Sequence, residues 1–358
     1  EHRGSNPIFW ETVGQVSHVT RPCWLWVPAS SEPRLLVGYV DQSRFSHLNV
    51  PTALWDSRAK MISELRALLT PAKRVAMEYS PEGQIPTVSR VDAGTLELVR
   101  SLGVEVVPSG DLLQNATQRW SKAQYRSHLL AAQKLTIIVR EAFKYIGQTL
   151  SGAPVTEYEV ASFIKHRFIE SGLEITDGPI VATNEHSSDP HYTPDAGTSR
   201  TINFGDWVLI DLWSKVTGED SIFADITWTA YVGDAVPLRH QHVFDAVTGA
   251  RDLAVSELEA SFTSGRRVAG WEIDKVARDY IKRSGYSHYF NHRLGHSLGR
   301  RVHGNAVNLD GWETHDTREV IPGIGITIEP GIYLPEFGVR SEIDVYISED
   351  GPRVATAP

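Results

Sequence analysis

The chain has 358 residues, 41% of them hydrophobic, which is enough apolar content to bury two cores. A net charge of −9, with only the short Arg266-Arg267 and Arg300-Arg301 basic pairs, argues against a nucleic-acid partner. The single cysteine, Cys23, excludes an internal disulfide framework and a cysteine-rich zinc site and fits a reducing cytosol. No run reaches the roughly 20 apolar residues of a membrane span, and no charged-then-apolar leader opens the chain. The expectation is a cytoplasmic protein without a membrane association, although Glu1-His2-Arg3-Gly4 has no initiator Met and leaves room for a missing segment.

Up to about residue 115, short apolar runs such as Leu35-Leu36-Val37-Gly38-Tyr39-Val40 and Val75-Ala76-Met77 alternate with helical stretches, Ala53 to Leu69 and Ala93 to Leu102. That alternation predicts an α/β domain. Apolar residues at helical spacing from Leu129 through Ile146 then predict one long helix over Gln114 to Leu150. Beyond it the text repeats itself: Ser151 to Gly172 aligns without a gap on Ser264 to Gly285, at an offset of 113. Each copy follows an amphipathic helix and ends at a Gly suited to a C-cap. Two amphipathic helices can share such a pattern by chance; the alternative is a duplicated helix-helix-strand unit whose halves embrace a central site.

Acidic and imidazole residues punctuate the strands that follow. Asp211 ends Val208-Leu209-Ile210, Asp225 lies between Ile222-Phe223-Ala224 and Ile226, Glu329 ends Ile324 to Ile328, and Glu342 precedes Ile343-Asp344-Val345-Tyr346-Ile347; His296 lies between them. An unpaired carboxylate in an apolar strand protonates, pairs with a cation or binds a metal. Four carboxylates and one imidazole would carry about −4, which two divalent cations cancel, so the pattern points to an oxygen-rich two-metal site.

These motifs resemble the pita-bread metallopeptidases, and among them the Xaa-Pro dipeptidases (prolidases) and Xaa-Pro aminopeptidases. The likeness covers residues 120–358 and rests on Gly205 to Asp211, Asp225-Ile226-Thr227, Leu294-Gly295-His296, Thr327 to Tyr333 and Val339-Arg340-Ser341-Glu342. It implies an α+β protein. Residues 1–115 would form a smaller N-terminal creatinase-like α/β domain and 116–150 a connecting helix; 151–358 would form a catalytic pita-bread domain, the duplicated unit around a curved antiparallel sheet. By the same resemblance, Asp211 chelates one metal, His296 and Glu329 the other, and Asp225 and Glu342 bridge. Mn²⁺ suits this donor set best on hardness, with Co²⁺, Zn²⁺ or Fe²⁺ as alternatives. His191 in Pro190-His191-Tyr192, and His292 and His303 flanking His296 at −4 and +7, stand in the family's register. The resemblance gives His191 and His303 the scissile peptide and tetrahedral intermediate, His292 and Tyr333 the proline pocket, and Arg340 the substrate carboxylate. Arg340 can equally form a salt bridge at the strand edge.

What the resemblance implies is hydrolysis of Xaa-Pro bonds in small peptides with proline second, by a homodimer. A hydroxide shared by the metals attacks the scissile carbonyl while Glu329 shuttles the proton. A dipeptide specificity is the first expectation and an aminopeptidase acting on longer peptides the alternative. Departures from the family pattern gather around the second Asp: Trp213 stands where relatives have Gly, the loop 214–220 is enlarged, and Ile222 and Trp228 replace a Tyr and an Arg. Three other readings compete, one of them a non-metal amidinohydrolase of the creatinase type, against which the intact carboxylate set argues. Gly295-His296-Ser297-Leu298-Gly299 spells a serine-hydrolase nucleophile elbow, though without an apolar strand before it. Some pita-bread proteins are metal-free binding scaffolds, but those lose ligands, and this chain keeps all five.

Overall fold

In the computed structural model, residues 4–14, 19–175 and 177–356 are described, and the opening Glu1-His2-Arg3 lies outside them. The chain divides into two compact units, one ending at Leu112 and the other starting at Leu113. In the first unit, strand Arg34–Gly38 pairs antiparallel with Trp24–Trp26 and parallel with Thr52–Trp55, and Arg74–Met77 pairs parallel with Glu105–Pro108. Helices Arg58–Leu69 and Ala93–Ser101 bury Leu65, Leu68, Leu69 and Val99 against these strands. The helix expected from Ala53 begins only at Arg58, because Ser57 caps it and the apolar Ala53-Leu54-Trp55 run is strand.

The second unit opens on helix α1 (Lys122–Leu150), 29 residues long. It does not start at Gln114 as the apolar spacing suggests. Gln114–Gln118 forms a separate wide turn, and Ser121 and Gln124 close a reciprocal capping box at the true N-terminus. Helix α2 (Glu157–Glu170) follows; later come α3 (Leu238–Ser264) and α4 (Gly270–Arg283). Helices α2 and α4 start and stop at positions 113 apart, the offset of the sequence repeat, and Glu159 and Glu272 each bond back to the backbone N–H three residues earlier. Each helix pair is followed by its own sheet. Strand β2 (Trp207–Ser214) lies between β1 (Ile180–Thr183) and β3 (Ala224–Tyr231). In the other half the order is β4 (Ser297–Leu298), β5 (Gly325–Ile328), β8 (Ile343–Ser348), β9 (Gly351–Val354), with the hairpin β6 (Gly331–Leu334) and β7 (Phe337–Arg340) inserted. All of these pairings are antiparallel.

Alternation decides which residues reach the site. Val208, Ile210, Leu212, Ala224 and Ile226 face one way, into a core with Leu135, Val139 and Ile164 from α1 and α2. Ile326, Ile328, Ile343, Val345 and Ile347 do the same against α3 and α4. The polar residues between them are thereby turned to the opposite faces. The two sheets meet where the Glu342 N–H donates to the Thr227 carbonyl, 3.2 Å away.

At Gly338 the hairpin passes so close to the Ser187 carbonyl that a Cβ would overlap it, while the Gly338 N–H donates to Ser187 Oγ at 2.8 Å. Gly338→Ala should therefore cost about 1–3 kcal/mol in urea unfolding, as overpacking typically does. An unchanged midpoint would show that the hairpin yields freely there.

Candidate metal centre

In the β2–β3 ladder Asp211 lies opposite Thr227, and Trp213 opposite Asp225, so these four side chains share one face. From the other half, β5 and its following residue bring Glu329, the residue before β4 is His296, and Glu342 falls between β7 and β8. Asp225, His296 and Glu342 offer ligand atoms within 4.8 Å of one another, all buried. Glu329 Oε1 lies 3.5 Å from His296 Nε2 and Asp225 Oδ2 lies 3.6 Å from it. Asp211 is joined to Glu342 through Arg340 and Thr227. Four of the five expected residues thus gather at the His296 imidazole, and Asp211 stands one chain of bonds away.

The hydrogen bonding around His296 tests whether cations fit. Its backbone N–H is held by Thr327 Oγ1 at 3.0 Å, and its Nδ1 lies 3.2 Å from the Ser297 carbonyl, which can only accept. Nδ1 therefore carries the proton, and Nε2 turns a bare lone pair toward two carboxylate oxygens. Burial pushes the imidazole down to about 4, so it is neutral near pH 7 and cannot itself be the missing cation. Asp211 Oδ1 and Asp225 Oδ1 are buried without a hydrogen-bond partner among the described residues. Acceptors facing acceptors in a buried cluster are what divalent cations reconcile, and the donor set suits them.

Arg340 lies beside Asp211, on the face that carries Thr227. Its buried guanidinium pairs with Asp211 Oδ2 and donates to Thr227 Oγ1 at 2.9 Å and Tyr333 Oη at 3.1 Å. Of the two roles open to it in the sequence, the ion pair is realised. Thr227 in turn donates to Glu342 Oε2 at 2.7 Å. Tyr333 Oη lies 2.8 Å from His292 Nε2, and His292 Nδ1 lies 2.7 Å from the Arg293 carbonyl, so Tyr333 donates and the ring accepts. Burial, then the Arg340 charge, drives His292 down to about 3, which keeps it neutral. His303 sets its ring edge-on to His296, centroids 4.3 Å apart. His191 is exposed on a loop whose anchor sequence reasoning missed: buried Glu157 accepts bonds from Thr183, His186, Tyr192 and Arg200. Its only sequence signal was its place at the start of the repeated helix.

Ser297, the serine of the elbow motif, is fully buried in β4 and pairs with Ile326. No helix follows it, and its Oγ has no partner among the described residues, so it is not a nucleophile poised by a base. Trp213 donates through its indole N–H to Asp177 Oδ1 at 3.2 Å.

A family model described as metallopeptidase family M24 matches residues 130–349. An uncharacterised peptidase of Bacillus subtilis, YqhT, is 34% identical over 224 residues, 61% of this chain and 58% of that protein. The chain thus spans little more than half the length of that relative. A Xaa-Pro dipeptidase of Pyrococcus furiosus is 28% identical over 277 residues, covering 73% of this chain and 75% of its own. Among solved structures, the dipeptidase PepE of Mycobacterium ulcerans superposes with a TM-score of 0.67 at 25% identity, over 93% of this chain and 84% of that one.

The charge crowding has a consequence for stability. Burial first, then the neighbouring Asp211, raises the Asp225 carboxyl well above its usual range, and burial, then Asp225, does the same to Glu342. Metal-free, the folded protein holds protons there that the unfolded chain releases near 3.8 and 4.5, so stability falls as pH rises above that range. The metal-free melting temperature should drop as pH rises beyond 6.5, where the buried imidazoles are neutral in the folded and unfolded chain alike and no longer offset the carboxyls, and saturating Mn²⁺ should erase the drop, since deprotonated carboxylates are the ligands. A metal-free melting temperature that climbs over the same interval would contradict this electrostatic picture.

Proposed function

This chain belongs to metallopeptidase family M24 and has its pita-bread fold, and we propose that it hydrolyses the Xaa-Pro bond of small peptides, dipeptides before longer ones, at a site holding two divalent cations. The observation that carries the reading is the His296 lone pair set among Asp225, Glu329 and Glu342 with no proton to share. Asp225 and Glu342, one from each half of the fold, would bridge the pair, Asp211 completing one position and His296 with Glu329 the other. Bound there, the cations would lower the pKa of a water and offset the charge of the tetrahedral intermediate. Mn²⁺ fits the four-carboxylate set best.

Glu329 is held by its N–H on the Leu294 carbonyl at 2.8 Å and by Thr327 Oγ1 at 3.3 Å. From there it takes the proton of the attacking water and returns it to the departing prolyl nitrogen. That nitrogen carries no hydrogen in the substrate, so recognition falls on the ring and the two ends of the peptide. His292 and Tyr333 provide an uncharged wall for the ring, and His191 and His303 provide imidazole donors to the carbonyl oxygen. Arg340 keeps two of its five N–H groups beyond the three bonds described, enough to meet a dipeptide carboxylate beside Asp211. The Xaa-Pro dipeptidase of Pyrococcus furiosus supports the substrate class.

Metal-depleted protein should not cleave Ala-Pro, and Mn²⁺ or Co²⁺ should restore cleavage. Ala-Pro should be cleaved faster than Ala-Pro-Ala; the reverse order would make the enzyme an aminopeptidase, and full activity in protein shown to be metal-free would remove the proposal altogether. His296→Ala should lose metal at the site and with it most of its kcat/KM, as removal of a ligand does, whereas Ser297→Ala should keep most of its activity.

A further inference from the structure

Asp225 lies in a stretch where the family's Tyr and Arg are replaced by Ile222 and Trp228, so something else must hold it. Its backbone N–H faces away from β2 and donates to Asp344 Oδ2 at 3.1 Å. Asp344 is fully buried on β8, directly opposite Thr327, and its own N–H is tied to Thr356 Oγ1 at 2.7 Å. Two residues before Asp225, the Phe223 carbonyl lies 2.8 Å from Nδ1 of His128, which is fully buried on α1. A carbonyl only accepts, so His128 donates through Nδ1. Its Nε2 then carries a lone pair without a hydrogen-bond partner among the described residues and lies 3.8 Å from Asp344 Oδ2, so the two side chains stand side by side behind the same segment without bonding each other. The Trp120 ring packs on the imidazole with centroids 4.9 Å apart and keeps the ring in place.

A histidine without exposure on the apolar face of a long helix, and a carboxyl without exposure in an apolar strand, both turned to one three-residue backbone segment, have no packing reason to be polar. We propose that His128 and Asp344 are positioning residues for the metal centre: they clamp Phe223 and Asp225 by the backbone, from two different elements, and so fix where the Asp225 carboxylate stands between the cations. This rests on the reading of Asp225 as a bridging ligand. Partners one step behind metal ligands commonly govern affinity by 10- to 100-fold.

The test is calorimetric titration of Mn²⁺ into metal-free protein, with the metal-free melting temperature recorded alongside. Asp344→Leu and His128→Leu remove the acceptor and the donor; Asp344→Asn and His128→Asn keep an acceptor and a donor at nearly the same place. The Leu variants should bind Mn²⁺ about 10- to 100-fold more weakly, and the Asn variants should recover most of that loss. Recovery by Asn separates positioning from a general need for these side chains. If a Leu variant does not fold, Asp344→Glu and His128→Gln, which keep polarity but displace the bonding atom, replace it with the same expectation. Leu variants that bind as the parent does, or Asn variants as weak as the Leu ones, would overturn the inference while leaving the two-cation site standing. A parent protein that binds no Mn²⁺ would overturn both.

Discussion

Four carboxylates converge on one imidazole in a buried junction between two sheets, and most of what is unusual in this fold follows from keeping them there. Like charges at such distances repel with little water to screen them. Among the described residues, Arg340 on Asp211 is the fixed cation that pairs with them. That reduces the charge from about −4 to about −3, and two divalent cations would leave about +1, a surplus suited to an anionic transition state or a substrate carboxylate. The protein's contribution is backbone geometry. Ladder registers hold Asp211 and Asp225 on one face, Thr327 Oγ1 holds the His296 amide, and the Glu342 amide ties the second sheet to the first at Thr227.

The duplication gives this geometry its economy. Each half supplies a helix pair, a sheet whose apolar face packs on those helices, and polar residues on the face left over. The halves are not equivalent in what they anchor. Glu157, at the start of α2, holds the loop with His191; Asp274, in α4, binds the Leu294 amide and Arg278, which grips the His292 carbonyl. Both are buried carboxylates on the second helix of their repeat, yet they lie one helical turn apart in repeat register. Similar tasks are thus met by different positions, as expected when the two loops differ in length.

Much of the site could be read from the sequence because it violates local rules. A carboxylate in an apolar strand is a local inconsistency, and that inconsistency singles out Asp211, Asp225 and Glu342. Asp344 satisfies the same criterion and is passed over, since the family motif accounts for one acid in that stretch and offers no partner for a second. His128 is legible only as a histidine on an apolar helix face, a position usually filled by a satisfied core residue; its partners come from 95 residues away and more. Arg340 was readable as an ion pair or as a substrate anchor, and the sequence holds no sign that its guanidinium bonds Asp211 and Thr227 at once. Element boundaries at Arg58 and Lys122 turned on caps at Ser57 and Ser121, where hydrophobic spacing carries no information.

The claim on which the rest stands is that two cations share Asp225 and Glu342. Anomalous diffraction at the manganese edge from crystals grown with Mn²⁺ tests it most directly. Two peaks roughly 3.5–4 Å apart, as in other two-metal hydrolytic sites, with both carboxylates between them and His296 against one, are expected. A single peak, or peaks elsewhere with Asp211 still locked to Arg340 and no density at His296, would contradict it.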